Sequence, residues 1–308
     1  MDLIFLGTGG AWGLPELNCD CLICRELRKT GERRKRTSLL LSGESTLLID
    51  CSPDAKSQLS RHKVDRIDAV LISHEHGDHY MGLDELFAYK RNVPKTAFGP
   101  IPIFLTTGSL DIINSRFGYM EEMGVPEWHE IEAGKWFRQG EFKVFPFKTE
   151  HGSFATGSVG FVIEFNNQFG KGVRLAYTSD FMDLPDIPTE LTCPDYLVIQ
   201  SFWLNEPRHN RPHHMSFQRA IHFMDRIKPK KDTFLVHIGD GDMVAGDPMN
   251  TTAKKTKPKD PIAPPSGGSP YPIPQNQAQW QKTVSQIMSD RGLSYEVTVA
   301  HDDLCIHI

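Results

Sequence analysis

Short runs of apolar residues, separated by Gly, Pro and polar turn residues, recur along the whole chain. Runs of this length between turn residues predict buried β-strands. The predicted strands are Leu3–Leu6, Ser38–Leu41, Thr46–Ile49, Ala69–Ile72, Ile101–Leu105, Phe142–Phe147, Val159–Phe165, Val173–Tyr177, Tyr196–Gln200, Thr233–His237, Glu296–Ala300 and Leu304–Ile308. The residues Ser42-Gly43-Glu44-Ser45, between the second and third strands, predict a hairpin turn.

Between these runs, apolar residues recur at helical spacing, as do Phe217, Ala220, Ile221 and Met224. Such a stripe predicts the core-facing side of a helix. The predicted helices are Pro53–Arg61 with Ser52 as N-cap, Gly82–Tyr89, Ser109–Arg116, Ser216–Ile227 and Gln277–Asp290. Because strands and helices alternate in each half of the chain, we predict two mixed sheets sandwiched between helices.

Residues 244–275 depart from this pattern, because they are rich in Pro, Lys, Gly and Ser. The composition predicts a long loop without secondary structure of its own, which is usually either functional or mobile. Apart from this insertion, we predict that residues 1–308 form a single domain.

The composition is that of a globular enzyme, with 39% hydrophobic and 24% charged residues. A net charge of −5 makes a nucleic-acid partner unexpected. The one dense basic cluster, Arg25–Arg36, is either a solvated helix and loop or a rim that attracts phosphate. The apolar start is too short for a signal peptide and no stretch is long enough for a membrane span, so we expect a cytoplasmic protein without a membrane partner.

The strongest chemical signal is the run His74-Glu75-His76-Gly77-Asp78-His79, directly after a predicted strand. Histidine nitrogen and carboxylate oxygen are ligands of zinc and similar divalent ions, and a catalytic site leaves one position open for water. Three histidines and an aspartate in six residues therefore predict a metal-dependent hydrolase.

Three isolated residues, His151, Asp180 and His237, also follow or end apolar strands. Each alone is a weak signal, but their shared placement makes them candidates to complete the metal site. Three crowded cysteines, Cys19, Cys21 and Cys24, suggest a further metal site rather than a disulfide in a cytosolic chain.

The motif H-x-H-x-D-H and the three later residues resemble the metallo-β-lactamase superfamily. The resemblance covers nearly the whole chain except the 244–275 loop. It implies an α/β fold, an αββα sandwich with metals at the edge between the sheets. It further implies that His74, His76 and His151 hold one divalent ion, and that Asp78, His79 and His237 hold a second, with Asp180 bridging. The ions would be zinc or manganese, a hydroxide between them would be the nucleophile, and Asp78 would orient it.

The opening Gly7-Thr8-Gly9-Gly10 and the cysteine cluster are similar to the phosphoribosyl 1,2-cyclic phosphate phosphodiesterase family of the carbon–phosphorus lyase pathway. This resemblance implies a structural zinc on Cys19, Cys21 and Cys24. A histidine is the fourth ligand in that family, and Asp240 stands at its position here, with Asp242 as an alternative. It also implies that His214 lines the active site, where it would serve the leaving group. From charge alone, Arg208 and Arg211 are candidates to bind a second phosphate.

We therefore predict a phosphodiesterase that acts on a small cyclic or nucleotide-like phosphodiester. One alternative is an RNA-processing nuclease of the same superfamily. The other is a non-hydrolytic protein resembling pyrroloquinoline quinone biosynthesis protein B, which departs from the metal motif that this chain retains. The sequence does not determine the oligomeric state, and a homodimer is compatible with it.

Overall fold

The computed structural model describes residues 1–167, 169–208, 214–255 and 260–308. The strands are β1 (Asp2–Gly7), β2 (Ser38–Ser42), β3 (Thr46–Ile49), β4 (Ala69–Leu71), β5 (Ile101–Thr106), β6 (Pro126–Ile131), β7 (Phe137–Gln139), β8 (Phe142–Lys148), β9 (Val159–Asn166), β10 (Gly172–Tyr177), β11 (Tyr196–Gln200), β12 (Asp232–Val236), β13 (Glu296–Val299) and β14 (Leu304–His307). The α-helices are α1 (Leu22–Thr30), α2 (Ala55–Arg61), α3 (Gly77–Tyr80), α4 (Phe87–Arg91), α5 (Thr107–Glu122), α6 (Phe217–Ile227) and α7 (Gln277–Asp290).

Within the described residues, the strands form two seven-stranded mixed sheets. The first has the order β14-β1-β2-β3-β4-β5-β6 and the second β13-β12-β11-β10-β9-β8-β7. In each sheet one half is parallel, β3 to β6 in the first and β10 to β13 in the second. Loops at the carboxyl ends of the parallel strands can therefore meet at one edge of the molecule, where such folds place their ligands.

Three apolar layers hold the elements together. Leu41 of the first sheet and Phe161 of the second belong to one buried cluster between the sheets. Helices α2 and α5 cover the outer face of the first sheet, and α6 and α7 cover the outer face of the second. The predicted αββα sandwich is confirmed.

The structure corrects several predicted boundaries. Helix α2 begins at Ala55 rather than Pro53, because the Ser52 hydroxyl accepts from the Asp54 amide at 3.2 Å and forms a turn before the helix. The predicted helix Gly82–Tyr89 is a 3₁₀ turn at Leu83–Leu86 followed by α4. Gly82 lies outside the turn, and its amide donates to the Cys51 carbonyl at 2.9 Å.

Four of the described strands and α-helices were not predicted: β6, β7, α1 and the four-residue α3. Strand β6 lies at a sheet edge and its side chains are largely solvent-facing, so it carries no apolar run. Strand β7 is only three residues long, and α1 begins inside the cysteine cluster, where Cys21 is its N-cap. The 244–275 segment contains a 3₁₀ turn at Pro248–Thr251, so the prediction that it has no secondary structure is wrong at that point. Among the described helices, none combines the length and apolarity that crossing a membrane would require.

Candidate metal centre

The predicted ligands lie in loops that follow strands of both sheets. His74 follows β4 of the first sheet, and the chain then turns into α3, which carries Asp78 and His79. His151, Asp180 and His237 follow β8, β10 and β12 of the second sheet. The sandwich thus brings residues separated by more than 150 positions to one edge.

Among the described residues, three overlapping groups of ligand atoms form there, and the third consists of His151, Asp180 and His214. In the first, His74, His76 and His151 place one ring nitrogen each within 4.8 Å of one another. The Nε2 atom of His151 lies 3.0 Å from Nδ1 of His76. Three converging imidazoles of this kind can bind one divalent ion.

The second group contains Asp78, His79, Asp180 and His237. Nε2 of His79 lies 3.1 Å from Asp78 Oδ2 and 3.3 Å from Asp180 Oδ2. Asp180 Oδ1 lies 3.0 Å from His237 Nδ1, while its Oδ2 lies 3.8 Å from His151 Nε2. The Asp180 carboxylate therefore stands between the two groups, where a bridging ligand would stand.

The donor atoms fit divalent ions. Within the described part of the chain, His74 Nε2 and His237 Nε2 are buried and have no hydrogen-bond partner. A buried polar atom without a partner is costly, and one ion bound in each group would satisfy both atoms. Burial holds the pKa of His74 well below its usual value and also lowers that of His76, so both imidazoles are neutral and available as ligands near pH 7.

Asp50 is a candidate site residue that the sequence analysis missed. It follows β3 and is fully buried, and its carboxylate accepts hydrogen bonds from the Ser73 amide at 2.8 Å and the Tyr177 hydroxyl at 2.8 Å. Nδ1 of His79 also donates to it at 2.8 Å. A partner on one ring nitrogen fixes the tautomer and directs the other nitrogen toward the metal. Its signal was available, since Asp50 also ends an apolar strand.

Three residues at these strand ends adopt left-handed backbone conformations, with φ of 58° at Asp50, 57° at Ser179 and 57° at His237. This conformation is unfavourable for residues other than glycine and costs on the order of 1 kcal/mol each. Strained residues clustered beside buried ligands are typical of a functional site.

His214, the predicted contact to the leaving group, also reaches the cluster. It precedes α6, and its Nδ1 lies 3.7 Å from Asp180 Oδ2. Its ring stacks on Phe202 with centroids 4.6 Å apart and an interplanar angle of 8°. Burial lowers the pKa of His214 to about 3, so the ring is neutral at pH 7.

Glu75 lies inside the motif, but its side chain contacts residues outside the candidate ligand groups. It accepts hydrogen bonds from the Ser109 hydroxyl at 2.8 Å and the Gly157 amide at 3.2 Å. It thereby joins the start of α5 to the loop that follows His151. This contact supports the loop rather than a metal.

The cysteine cluster forms a separate group. Cys19, Cys21, Cys24 and Asp240 place their ligand atoms within 4.8 Å of one another. Asp240 Oδ2 lies 3.1 Å from Cys24 Sγ, 3.4 Å from Cys21 Sγ and 3.7 Å from Cys19 Sγ. The alternative ligand Asp242 instead accepts a hydrogen bond from the Leu204 amide at 2.9 Å. Three sulfurs and one carboxylate oxygen suit a closed zinc site.

The basic residues are distributed differently. In the Arg25–Arg36 cluster, Arg34 is buried and donates to Thr8 Oγ1 at 2.8 Å, and Arg36 pairs with Asp54 at 3.2 Å. These two arginines support the fold. Arg208 is exposed six positions before His214, and Arg211 lies outside the described residues.

Comparison with known proteins agrees with this architecture. The family model described as the β-lactamase superfamily domain matches residues 45–238. The chain is similar to an octanoyltransferase of Porphyromonas gingivalis, with 28% identity over 250 residues that cover 77% of this chain and 46% of the relative. It is also similar to a ribonuclease Z of Pyrococcus horikoshii, with 31% identity over 163 residues that cover 52% of this chain and 47% of the relative. The chain spans about half the length of these curated relatives.

Among solved structures, a diphosphatase of the PhnP family superposes with a TM-score of 0.69 at 21% identity. The superposition covers 100% of this chain and 97% of the other. At this identity the likeness shows the fold.

Proposed function

Because this chain belongs to the β-lactamase superfamily, whose metallo-β-lactamase members are generally metal-dependent hydrolases, we propose that it is a metal-dependent phosphodiesterase for a small cyclic or nucleotide-like diester. The observation that carries the proposal is the pair of adjacent ligand groups joined by Asp180. Zinc or manganese suits these nitrogen and oxygen donors. Two bound ions would activate water near neutral pH and offset charge on the phosphoryl group.

The chain's own residues would share the remaining tasks. Asp78 has a buried carboxylate, and although burial opposes its charge, the neighbouring His79 imidazole lowers the pKa of Asp78 to about 2. It is therefore charged at pH 7 and can accept a proton from, and so orient, the attacking water. His214 is neutral at pH 7, so we assign it a hydrogen bond to the phosphoryl or leaving oxygen rather than a fixed positive charge.

Two exposed aromatic side chains support a substrate with a planar group. Trp12 is 73% exposed two residues after Gly10, whose amide donates to the Ile238 carbonyl at 3.1 Å, and Phe154 is 79% exposed three residues after His151. Exposed aromatic rings beside a phosphate site can stack on a base. Replacing either with alanine should raise KM for a nucleotide diester and leave kcat nearly unchanged. Phe169→Ala is the control, because Phe169 is 82% exposed at the opposite end of β10.

The central experiment is hydrolysis of bis-p-nitrophenyl phosphate by the metal-loaded protein. His76→Ala removes a ligand and should lower kcat/KM at least about a hundredfold. His301→Ala, which replaces an exposed histidine, should have little effect. Absence of hydrolysis in the fully metal-loaded wild type with several diesters would count against the proposal.

A second candidate, an RNA-processing nuclease, is favoured by the similarity to ribonuclease Z. Cleavage of a precursor tRNA at low salt, without hydrolysis of mononucleotide diesters, would support it. The net charge of −5 argues against tight RNA binding and ranks this candidate second. The non-hydrolytic alternative is disfavoured because the metal motif is intact.

For the separate cysteine cluster, we propose a structural zinc held by Cys19, Cys21, Cys24 and Asp240. Its presence would appear as one metal equivalent beyond the two in the active site, measured by elemental analysis of the purified protein.

A further inference from the structure

The sulfur atoms of the cysteine cluster accept hydrogen bonds from backbone amides. The Cys21 amide donates to Cys19 Sγ at 3.5 Å, and the Cys24 amide donates to Cys21 Sγ at 3.5 Å. The Glu16 amide donates to Cys24 Sγ at 3.4 Å. Each sulfur thus accepts one backbone N–H, which stabilises the thiolate form that binds metals.

The fourth ligand makes this cluster strongly negative. Three thiolates and the Asp240 carboxylate around a divalent ion carry about two net negative charges. A histidine at position 240 would bind as a neutral imidazole and would remove one of them. Because Asp240 and the three cysteines are buried, the excess charge needs a nearby cation.

Lys254 supplies such a cation. Its ammonium group contacts the Asp240 carboxylate and lies 2.8 Å from Cys19 Sγ. On its other side it lies 2.8 Å from Glu16 Oε2. The lysine comes from the 244–275 segment, fourteen residues beyond Asp240.

The neighbouring residue, Lys255, fixes the position of the segment that carries Lys254. Lys255 is buried, and its ammonium donates to the carbonyl oxygens of Asp240 at 2.7 Å and Asp242 at 2.8 Å. Asp247 lies 3.6 Å from the same ammonium and accepts the Leu22 amide at 3.2 Å, at the start of α1. The segment is therefore fastened to both parts of the chain that provide the cluster.

We propose that Lys254 is the counter-cation that allows a ligand set of three cysteines and one aspartate to hold a divalent metal. The positive charge of Lys254 is needed because the fourth ligand, Asp240, is negatively charged. In this role the first part of the 244–275 segment closes the metal site. The proposal does not rest on the phosphodiesterase activity.

The competing explanation is that the ammonium replaces the metal. A single ammonium carries one positive charge, whereas the cluster offers three thiols and a carboxylate within 4.8 Å of one another. One charge cannot stabilise several buried thiolates, although three amide N–H groups point at the sulfurs. These amide contacts favour a metal, with Lys254 beside it.

The test uses the full-length protein and cobalt(II) as the probe. Sulfur-to-cobalt charge-transfer absorption reports the cysteine site alone, because the other ligand groups contain no sulfur. Lys254→Met should weaken cobalt binding at this site at least about tenfold and speed loss of zinc to a chelator. Lys254→Arg should retain binding near the wild-type level. Lys56→Met, which replaces an exposed lysine of α2, is the control.

The decisive variant is the double substitution Asp240→His with Lys254→Met. It removes one negative and one positive charge together, so it should restore cobalt binding. If Lys254→Met is insoluble, Lys254→Gln replaces it with the same expected loss. Unchanged or tighter cobalt binding in Lys254→Met or Lys254→Gln would overturn the proposal. Failure of the added Asp240→His substitution to restore cobalt binding would also overturn it.

Discussion

Asp50 accepts a hydrogen bond of 2.8 Å from Nδ1 of His79, and both side chains are fully buried. The contact leaves His79 Nε2 to face Asp78 and Asp180. Although burial alone would lower it, these three carboxylates raise the pKa of His79 well above its usual value. Asp50 therefore orients the imidazole of a candidate metal ligand.

We expect Asp50→Asn to weaken metal binding about 10- to 100-fold, because the neutral amide no longer supports the imidazole. Asparagine tolerates the left-handed backbone at this position, so the change does not add strain. Metal titration followed by diester hydrolysis would measure the loss. Full activity at limiting metal would contradict this role.

The pH dependence of stability should reveal His214. Its pKa is about 3 in the folded, metal-free protein and about 6.5 in the unfolded chain. Below pH 6.5 the His214 imidazole binds a proton in the unfolded chain but not in the folded protein. The free energy of unfolding therefore decreases as the pH falls from 6.5 toward 3.

Between pH 7 and pH 5, the wild type should therefore lose about 2 kcal/mol more stability than His214→Gln. Urea unfolding of both chelator-treated proteins would measure this difference. Equal losses in the two proteins would show that His214 does not resist protonation.

Gly10→Ala should disturb the aromatic support of His214. A Cβ at Gly10 would lie 2.6 Å from the Phe202 ring, which stacks on His214. We expect a stability loss of about 1–3 kcal/mol and a lower kcat, from urea unfolding and diester hydrolysis. Gly99→Ala is the control, because a Cβ there meets no atom within 4 Å. If Gly10→Ala behaves like the control, Phe202 does not position His214.

Substitutions of Glu75 and Asp78 should have different effects, although both residues lie in one motif. Glu75→Gln weakens contacts to Ser109 and Gly157, so it should cost about 1 kcal/mol of stability while metal content and kcat stay near wild type. Asp78→Asn should lose metal and activity. Thermal unfolding, elemental analysis and hydrolysis would compare them. A large fall in kcat for fully metal-loaded Glu75→Gln would instead place Glu75 in the reaction.

The sequence predicted the sandwich and also named the seven candidate ligands that the fold brings together, because both depend on short-range signals. Apolar runs mark the buried strands, and the polar residues that end them mark one edge of the fold. Asp50 carries the same signal, but nothing in the sequence indicates that its carboxylate contacts the His79 imidazole.

Other features depend on contacts that sequence spacing does not encode. Strand β6 pairs only at an edge and shows no apolar run. The choice of Asp240 over Asp242 depends on which carboxylate faces the sulfurs, although both are buried. The contact from Lys254 to Cys19 joins residues 235 positions apart. Only the folded chain places these groups together.

The left-handed turns at Asp50, Ser179 and His237 bear on how such proteins diversify. Each turn takes the chain out of its sheet at the point where a ligand, or the residue supporting one, is presented. Ligand positions are therefore largely uncoupled from the apolar packing between the sheets. Over evolutionary time, new chemistry could be sampled by exchanging residues at these strand ends, while the inherited scaffold is left intact.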